Sequence, residues 1–233
     1  MSSCTSRPVR QQRRGRRVVA SAVAAGVVAY AWWVERGHDR WGATDAEVAA
    51  VLPGDDLVPG PAMQVTRAIT IDAPPGDVWP WVVQIGADRG GFYSYAWLEN
   101  LFGLGIRNAQ EVVEEWQDLR VGDVVRATRA RGGGWYVVGL VPGVALVLQI
   151  ADLDAGRPVR RTDPAGWEFL WTFALRETKD GRTRLLLRER VAFGRPLVRW
   201  LTAPLGEVSY LMSRRTLHGI KERVEGHARR PES

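Results

Sequence analysis

Two spacings of apolar residues organise the chain. In TRAITIDA, from Thr66, Ile69 and Ile71 fall on one side and Thr70 and Asp72 on the other, the period of a strand. In PPGDVWPWVVQIG, Val78, Trp81, Val82 and Ile85 recur at helical spacing, with Pro75 and Asp77 suited to a first turn and Gly86 to an end. A short helix is expected over Trp97–Phe102, stopped by Gly103 and Gly105. Asn108 is then placed to cap a further helix, AQEVVEEWQ. Asp123–Thr128 reads as a strand, and WYVVGLVPGVALVLQI as a hairpin turning at Pro142-Gly143. Trp167, Phe169, Trp171, Phe173 and Leu175 alternate with Glu168, Leu170, Thr172 and Ala174. Asp180-Gly181 then turns the chain into a strand over Arg182–Phe193. The last segment, Arg195 to about Gly226, reads as a long helix with a stripe of Leu197, Leu201, Leu205, Val208 and Met212, continued by Leu217, Ile220 and Val224. This order predicts an α+β domain over residues 65–228 with helices on one face of an antiparallel sheet. Residues 229–233 are expected to be a disordered tail.

Before the domain the pattern changes. Residues 35–64 read as a linker: Thr44 and Glu47 form a capping box before a short helix, and LPGDDLVPGPA interrupts regular structure. Residues 18–34 carry no charge, and these 17 residues would make a helix of about 26 Å, at the short end of a membrane span. Six arginines lie within residues 1–17. With Trp32 and Trp33 on the other side, this is the pattern of a single-pass helix with a cytoplasmic N-terminus and an extracytoplasmic domain. Ala29-Tyr30-Ala31 leaves a second reading open, a cleaved signal peptide and a secreted domain.

The net charge of +6 belongs to that leader, because without its six arginines the 32 basic residues fall to 26 and match the 26 acids. A balanced domain argues against nucleic acid as the partner. The one cysteine, Cys4, lies in the leader, so neither an internal disulfide nor a cysteine metal site is expected.

Several phrases carry a family resemblance: ITIDAPPGDVWPWVVQIG, GGFYSYAWLENLFG with IRNA after it, EEWQDLRVGD, and WTFALRETKDGRTRLLLRER. Across about Trp41 to Arg223 the chain resembles the START-like (SRPBCC) superfamily, which includes polyketide cyclase/dehydrase-like proteins, and within it a membrane-associated bacterial branch. The resemblance implies a helix-grip fold, a curved sheet wrapped around the C-terminal helix, and an internal cavity. It implies no particular reaction.

The residues themselves offer little catalytic chemistry. His38, His218 and His227 form no pair at metal-ligand spacing, and no G-x-S-x-G elbow is present. No catalytic residue, metal or cofactor is therefore assigned. Glu168, Arg176, Arg188 and Arg190 read as a strand ion-pair ladder. Glu168, Glu189, Tyr95 and Tyr210 are the groups an enzyme would draw on. Aromatic mass stands out, with 11 Trp against 5 Tyr and 5 Phe. An indole-lined cavity for a hydrophobic ligand (a lipid, isoprenoid or polyketide) is the expectation, with Tyr93, Tyr95, Trp97, Asn100, Asn108, Trp116, Trp135, Trp171 and Tyr210 as candidate contacts. The alternatives are a cyclase/dehydratase-type enzyme using the same cavity and a membrane-surface interaction domain without a ligand.

Overall fold

The computed structural model describes residues 37–95, 106–129, 132–164, 166–195 and 205–228. The chain divides into residues 1–38 and 39–233, and the elements named here belong to the second unit. The expected membrane helix at 18–34, the short helix at Trp97–Phe102 and the tail at 229–233 lie outside the described residues. Among those described, no helix is long and apolar enough to cross a membrane.

The elements run α1 (Asp45–Ala49), β1 (Met63–Ile71), α2 (Pro75–Val83), β2 (Val124–Arg126), β3 (Gly134–Val141), β4 (Ala145–Asp152), β5 (Arg157–Pro158), β6 (Trp167–Glu177), β7 (Thr183–Phe193) and α3 (Leu205–Ala228). Two 3-10 turns, Asp55–Leu57 and Glu114–Trp116, add to them. The seven strands form one curved antiparallel sheet in the order β1-β7-β6-β4-β3-β2, with β5 beside β4. The fold class is α+β, as the element order predicts.

Register assigns the two faces of the sheet. Trp171 lies opposite both Glu189 and Leu148, Phe173 opposite Leu187, and Leu187 opposite Arg67. Directly opposed residues of antiparallel strands share a face. Arg67, Trp171, Phe173, Leu187 and Glu189 therefore line one side, facing α2 and α3. Ile71, Val78, Trp81, Phe173, Leu185, Leu187, Leu217, Ile220 and Val224 are buried in the main core there.

The other face carries Arg184, Leu186, Arg188 and Arg190, opposite Thr70, Ala68, Thr66 and Gln64. Here the linker expectation meets a different arrangement, because residues 42–58 pack onto this face. Leu52 joins Ala68, Ala174 and Leu186, while Val58 joins Val147, Leu170 and Ala192. Three arginines fasten the segment. Arg188 makes five bonds: to Thr66 Oγ1, the carbonyls of Glu47, Val48 and Ala50, and Asp55 Oδ2 at 2.7 Å. Arg190 reaches the Val58 carbonyl, and Arg184 forks onto both Glu47 oxygens. The prolines and glycines that read as linker punctuation turn the chain so that Leu52 and Val58 can dock. The capping box at Thr44 and Glu47 is present as expected.

The Arg184 guanidinium, with the Thr44 amide, holds the Glu47 carboxyl down at about 2. A lowered native pKa stabilises the fold above the ordinary carboxylate range, and this stabilisation is lost as pH falls from 4.5 toward 2. Denaturant unfolding at pH 6 and pH 3 checks this. The wild type should lose about 1 kcal/mol more than Glu47→Gln over that interval, a figure reduced for solvent screening.

Candidate functional site

Between the sheet's inner face and the first half of α3 lies a cavity of about 270 Å³. Its apolar wall is Phe92, Ile106, Trp135, Phe169, Trp171 and Met212. Its polar end is Glu189, Ser209, Ser213 and Thr216. A second hollow of about 200 Å³ shares Trp135, Phe169, Glu189 and Ser209 and continues past Met63, Ile150, Trp167 and Phe193. Strand alternation puts Trp167, Phe169 and Trp171 on this wall, as their spacing predicts. The rings meet edge to face or tilted: Phe92 to Trp135 at 5.7 Å, Trp135 to Trp171 at 5.6 Å and Trp171 to Phe173 at 4.7 Å between centroids.

The polar end is a buried ion pair. Arg67 Nη1 stands 3.1 Å from Glu189 Oε1, and the two side chains are 1% and 3% exposed. Ser213 donates to Glu189 Oε1 at 2.5 Å, and Ser209 donates to Oε2. Arg67 lies 5.5 Å from the centre of the Tyr210 ring. This corrects the expected helix stripe. In the first half of α3 Ser209, Ser213 and Thr216 face the sheet at helical spacing beside Met212 of that stripe, while Val208 is 51% exposed and Leu197, Leu201 and the Leu205 side chain lie outside the described residues. Leu217, Ile220 and Val224 take over the buried side only in the second half.

The candidate contacts separate by position. Trp135 and Trp171 line the cavity. Tyr210 lies beside Arg67, and Tyr95 is half-buried. Trp97 and Asn100 are outside the described residues. Trp116 is half-buried, and its carbonyl accepts a bond from Arg89.

Tyr93 and Asn108 build a clasp next to the cavity wall. Tyr93 has a left-handed backbone with φ of 56°, costly for a residue with a Cβ. Asn108 holds it there: Oδ1 accepts from the Tyr93 amide at 2.8 Å, and Nδ2 donates to the Ser94 carbonyl at 3.0 Å. The Tyr93 hydroxyl donates to the Trp81 carbonyl at 2.9 Å, and burial pushes its phenol well above the usual range. Thr216 bonds the Phe92 carbonyl, tying the clasp to α3. Gly219 makes close approach possible, because a Cβ there would stand 2.2 Å from the Tyr93 carbonyl oxygen.

The helix expected after Asn108 does not form. Buried Gln84 donates to the Glu111 carbonyl at 3.1 Å and accepts the Val113 amide at 3.0 Å. These bonds hold the segment extended until the Glu114–Trp116 turn, and they free the Asn108 side chain for Tyr93. Replacing Asn108 with alanine leaves the Tyr93 amide without that acceptor. A loss of about 2 kcal/mol in unfolding free energy is expected, with Asn108→Asp intermediate because it keeps the acceptor.

Of the buried ion pair, Arg67 had no place among the expected residues, and Glu189 stood only among the groups an enzyme would draw on. The signal for Glu189 was its step of two from Leu185 and Leu187. Among the described residues, no group of three or more His, Cys, Asp or Glu is arranged to hold a metal ion.

No family model matches the chain, and no curated protein matches it. Solved structures of similar chain path exist. A crystal structure of a Mesorhizobium loti protein is 16% identical, covering 70% of this chain and 98% of its own, with a TM-score of 0.42. One from Chromobacterium violaceum is 18% identical, covering 70% and 96%, with a TM-score of 0.40. A solution structure from Arthrobacter aurescens is 14% identical, covering 79% and 99%, with a TM-score of 0.41. Any functional reading must therefore stand on the geometry of the site.

Proposed function

We propose that this protein is a START-like, helix-grip binding module that holds or transfers a hydrophobic small molecule in the cavity between its sheet and C-terminal helix. The observation that carries the reading is the cavity itself, walled by Phe92, Trp135, Phe169 and Trp171 with one small polar end. An apolar pocket with few convergent polar groups is the usual form of a small-molecule site. Residues 18–34 serve in this reading as a membrane anchor, with the domain on the extracytoplasmic side.

Binding is favoured over the cyclase/dehydratase alternative by how the candidate acid groups are used. Glu189 already receives Arg67, Ser209 and Ser213, and Glu168 pairs with Arg161 at 2.8 Å. Both acids are thus held in ion pairs, and neither stands as a lone general acid or base facing the cavity.

The test is organic extraction and mass spectrometry of the full-length chain as purified. One apolar species should be enriched with the wild type and reduced at least about fivefold with Ala127→Phe, whose added ring enters the cavity wall. Equal recovery from both would count against the cavity as the binding place.

A further inference from the structure

The cavity's polar groups are selective about charge, and we infer that its ligand is an uncharged apolar molecule whose head carries an acceptor oxygen, an alcohol or a carbonyl, received by the indole N–H groups of Trp135 and Trp171. This deepens the binding reading and rests on it.

Three observations carry it. First, the ring nitrogens of Trp135 and Trp171 are both buried, and neither has a hydrogen-bond partner among the described residues. Indole N–H is a donor only, and a buried donor left unmade is costly. Two such donors stand on rings 5.6 Å apart, both in the wall of one cavity. An apolar wall built only for packing has no use for this pair. A ligand oxygen satisfies it once either ring turns its N–H toward the cavity, since neither nitrogen meets the cavity space in this structure.

Second, the charges at the polar end already cancel. Arg67 faces Glu189, and both are buried. An anionic head would meet the Glu189 carboxylate with Arg67 already committed, and its own charge would be desolvated without a partner. A cationic head would find aromatic faces but would leave both indole donors unmade.

Third, the remaining polar capacity suits a hydroxyl. A carboxylate offers about four lone-pair directions, and Glu189 uses three, for Arg67, Ser209 and Ser213. One direction is left for a ligand O–H, so an alcohol can donate to Glu189 and accept from an indole.

The experiment uses the full-length chain with 15N-labelled tryptophan, the Trp135 and Trp171 resonances picked out of its 11 indoles with Trp135→Phe and Trp171→Phe. Four probes of equal length are titrated: 1-decanol, decanoate, decylammonium and decane. Decanol should move both indole N–H resonances downfield, at concentrations about tenfold lower than either ion needs, since a lone charge in the cavity has no partner. Decane should bind without the downfield shift. Ions that bind as well as decanol, or a decanol spectrum matching that of decane, would overturn the inference while leaving the binding function standing. If no probe disturbs either indole, the cavity takes no apolar guest, and the proposed function falls with the inference.

Discussion

Arg188→Met should lower the unfolding free energy by about 3–5 kcal/mol, the range for removing one partner of a buried charge pair. The side chain is 1% exposed and donates five bonds, three of them to the carbonyls of Glu47, Val48 and Ala50. Methionine fills much of the same volume, so packing alone would predict a small effect. The loss comes from what is left behind: three carbonyls and Asp55 Oδ2 without this donor in a place water reaches poorly. Denaturant unfolding measures the total. Hydrogen exchange supplies the location, because protection should fall first at Val48 and Ala50 in the covering segment. A variant within about 1 kcal/mol of wild type would mean that residues 42–58 lie loosely on the sheet.

Arg67→Met should cost a similar amount, about 3–5 kcal/mol, for the same reason on the opposite face. Here Glu189 is the group abandoned, left among the described residues with the Ser209 and Ser213 hydroxyls to hold its charge. The double variant Arg67→Met, Glu189→Leu decides between two origins of the loss. If the penalty is an uncompensated carboxylate, the double variant should recover to within about 2 kcal/mol of wild type, since apolar replacement of a whole buried pair is often neutral. If the penalty is lost packing, the two substitutions should add. The double variant also removes the ion pair from the cavity's polar end, so its preference for decanol over decane should shrink while the indole donors remain.

Much of the fold was legible because one physical rule governed each stretch. Trp167 to Leu175 alternates strictly, since that strand has an aromatic inner face and a covered outer face. Val78, Trp81 and Val82 mark α2 for the same reason, with one stripe and one buried side. Reading failed where a distant partner outweighed the local pattern. AQEVVEEWQ has helical spacing, yet Gln84, far back in sequence, takes the amide and carbonyl that a helix would use. Residues 42–58 look like a linker because the prolines and glycines of LPGDDLVPGPA break any regular period. Leu52 and Val58 suffice only because arginines from β7 fasten the rest.

The candidate site was legible as a composition and only partly as positions. Trp135 and Trp171 stand where the aromatic inventory put them. Asn108 and Tyr93 have gone instead to a clasp, because a left-handed residue needs an acceptor close by and Asn108 supplies it. The polar half of α3 was hidden for the opposite reason. Serines at 209 and 213 carry no hydrophobic signal, and only the inward-facing Glu189 explains why they face the sheet.

The central claim is that an apolar molecule occupies the space between the sheet and α3, and photolabelling addresses it directly. The full-length chain is irradiated with a diazirine-bearing alkanol, and the modified peptides are mapped. The account predicts labels on peptides carrying Phe92, Trp135, Phe169 and Trp171, suppressed by excess decanol. Labels confined to residues 18–34 or to the exposed Val208 and Leu211, and unaffected by decanol, would contradict it.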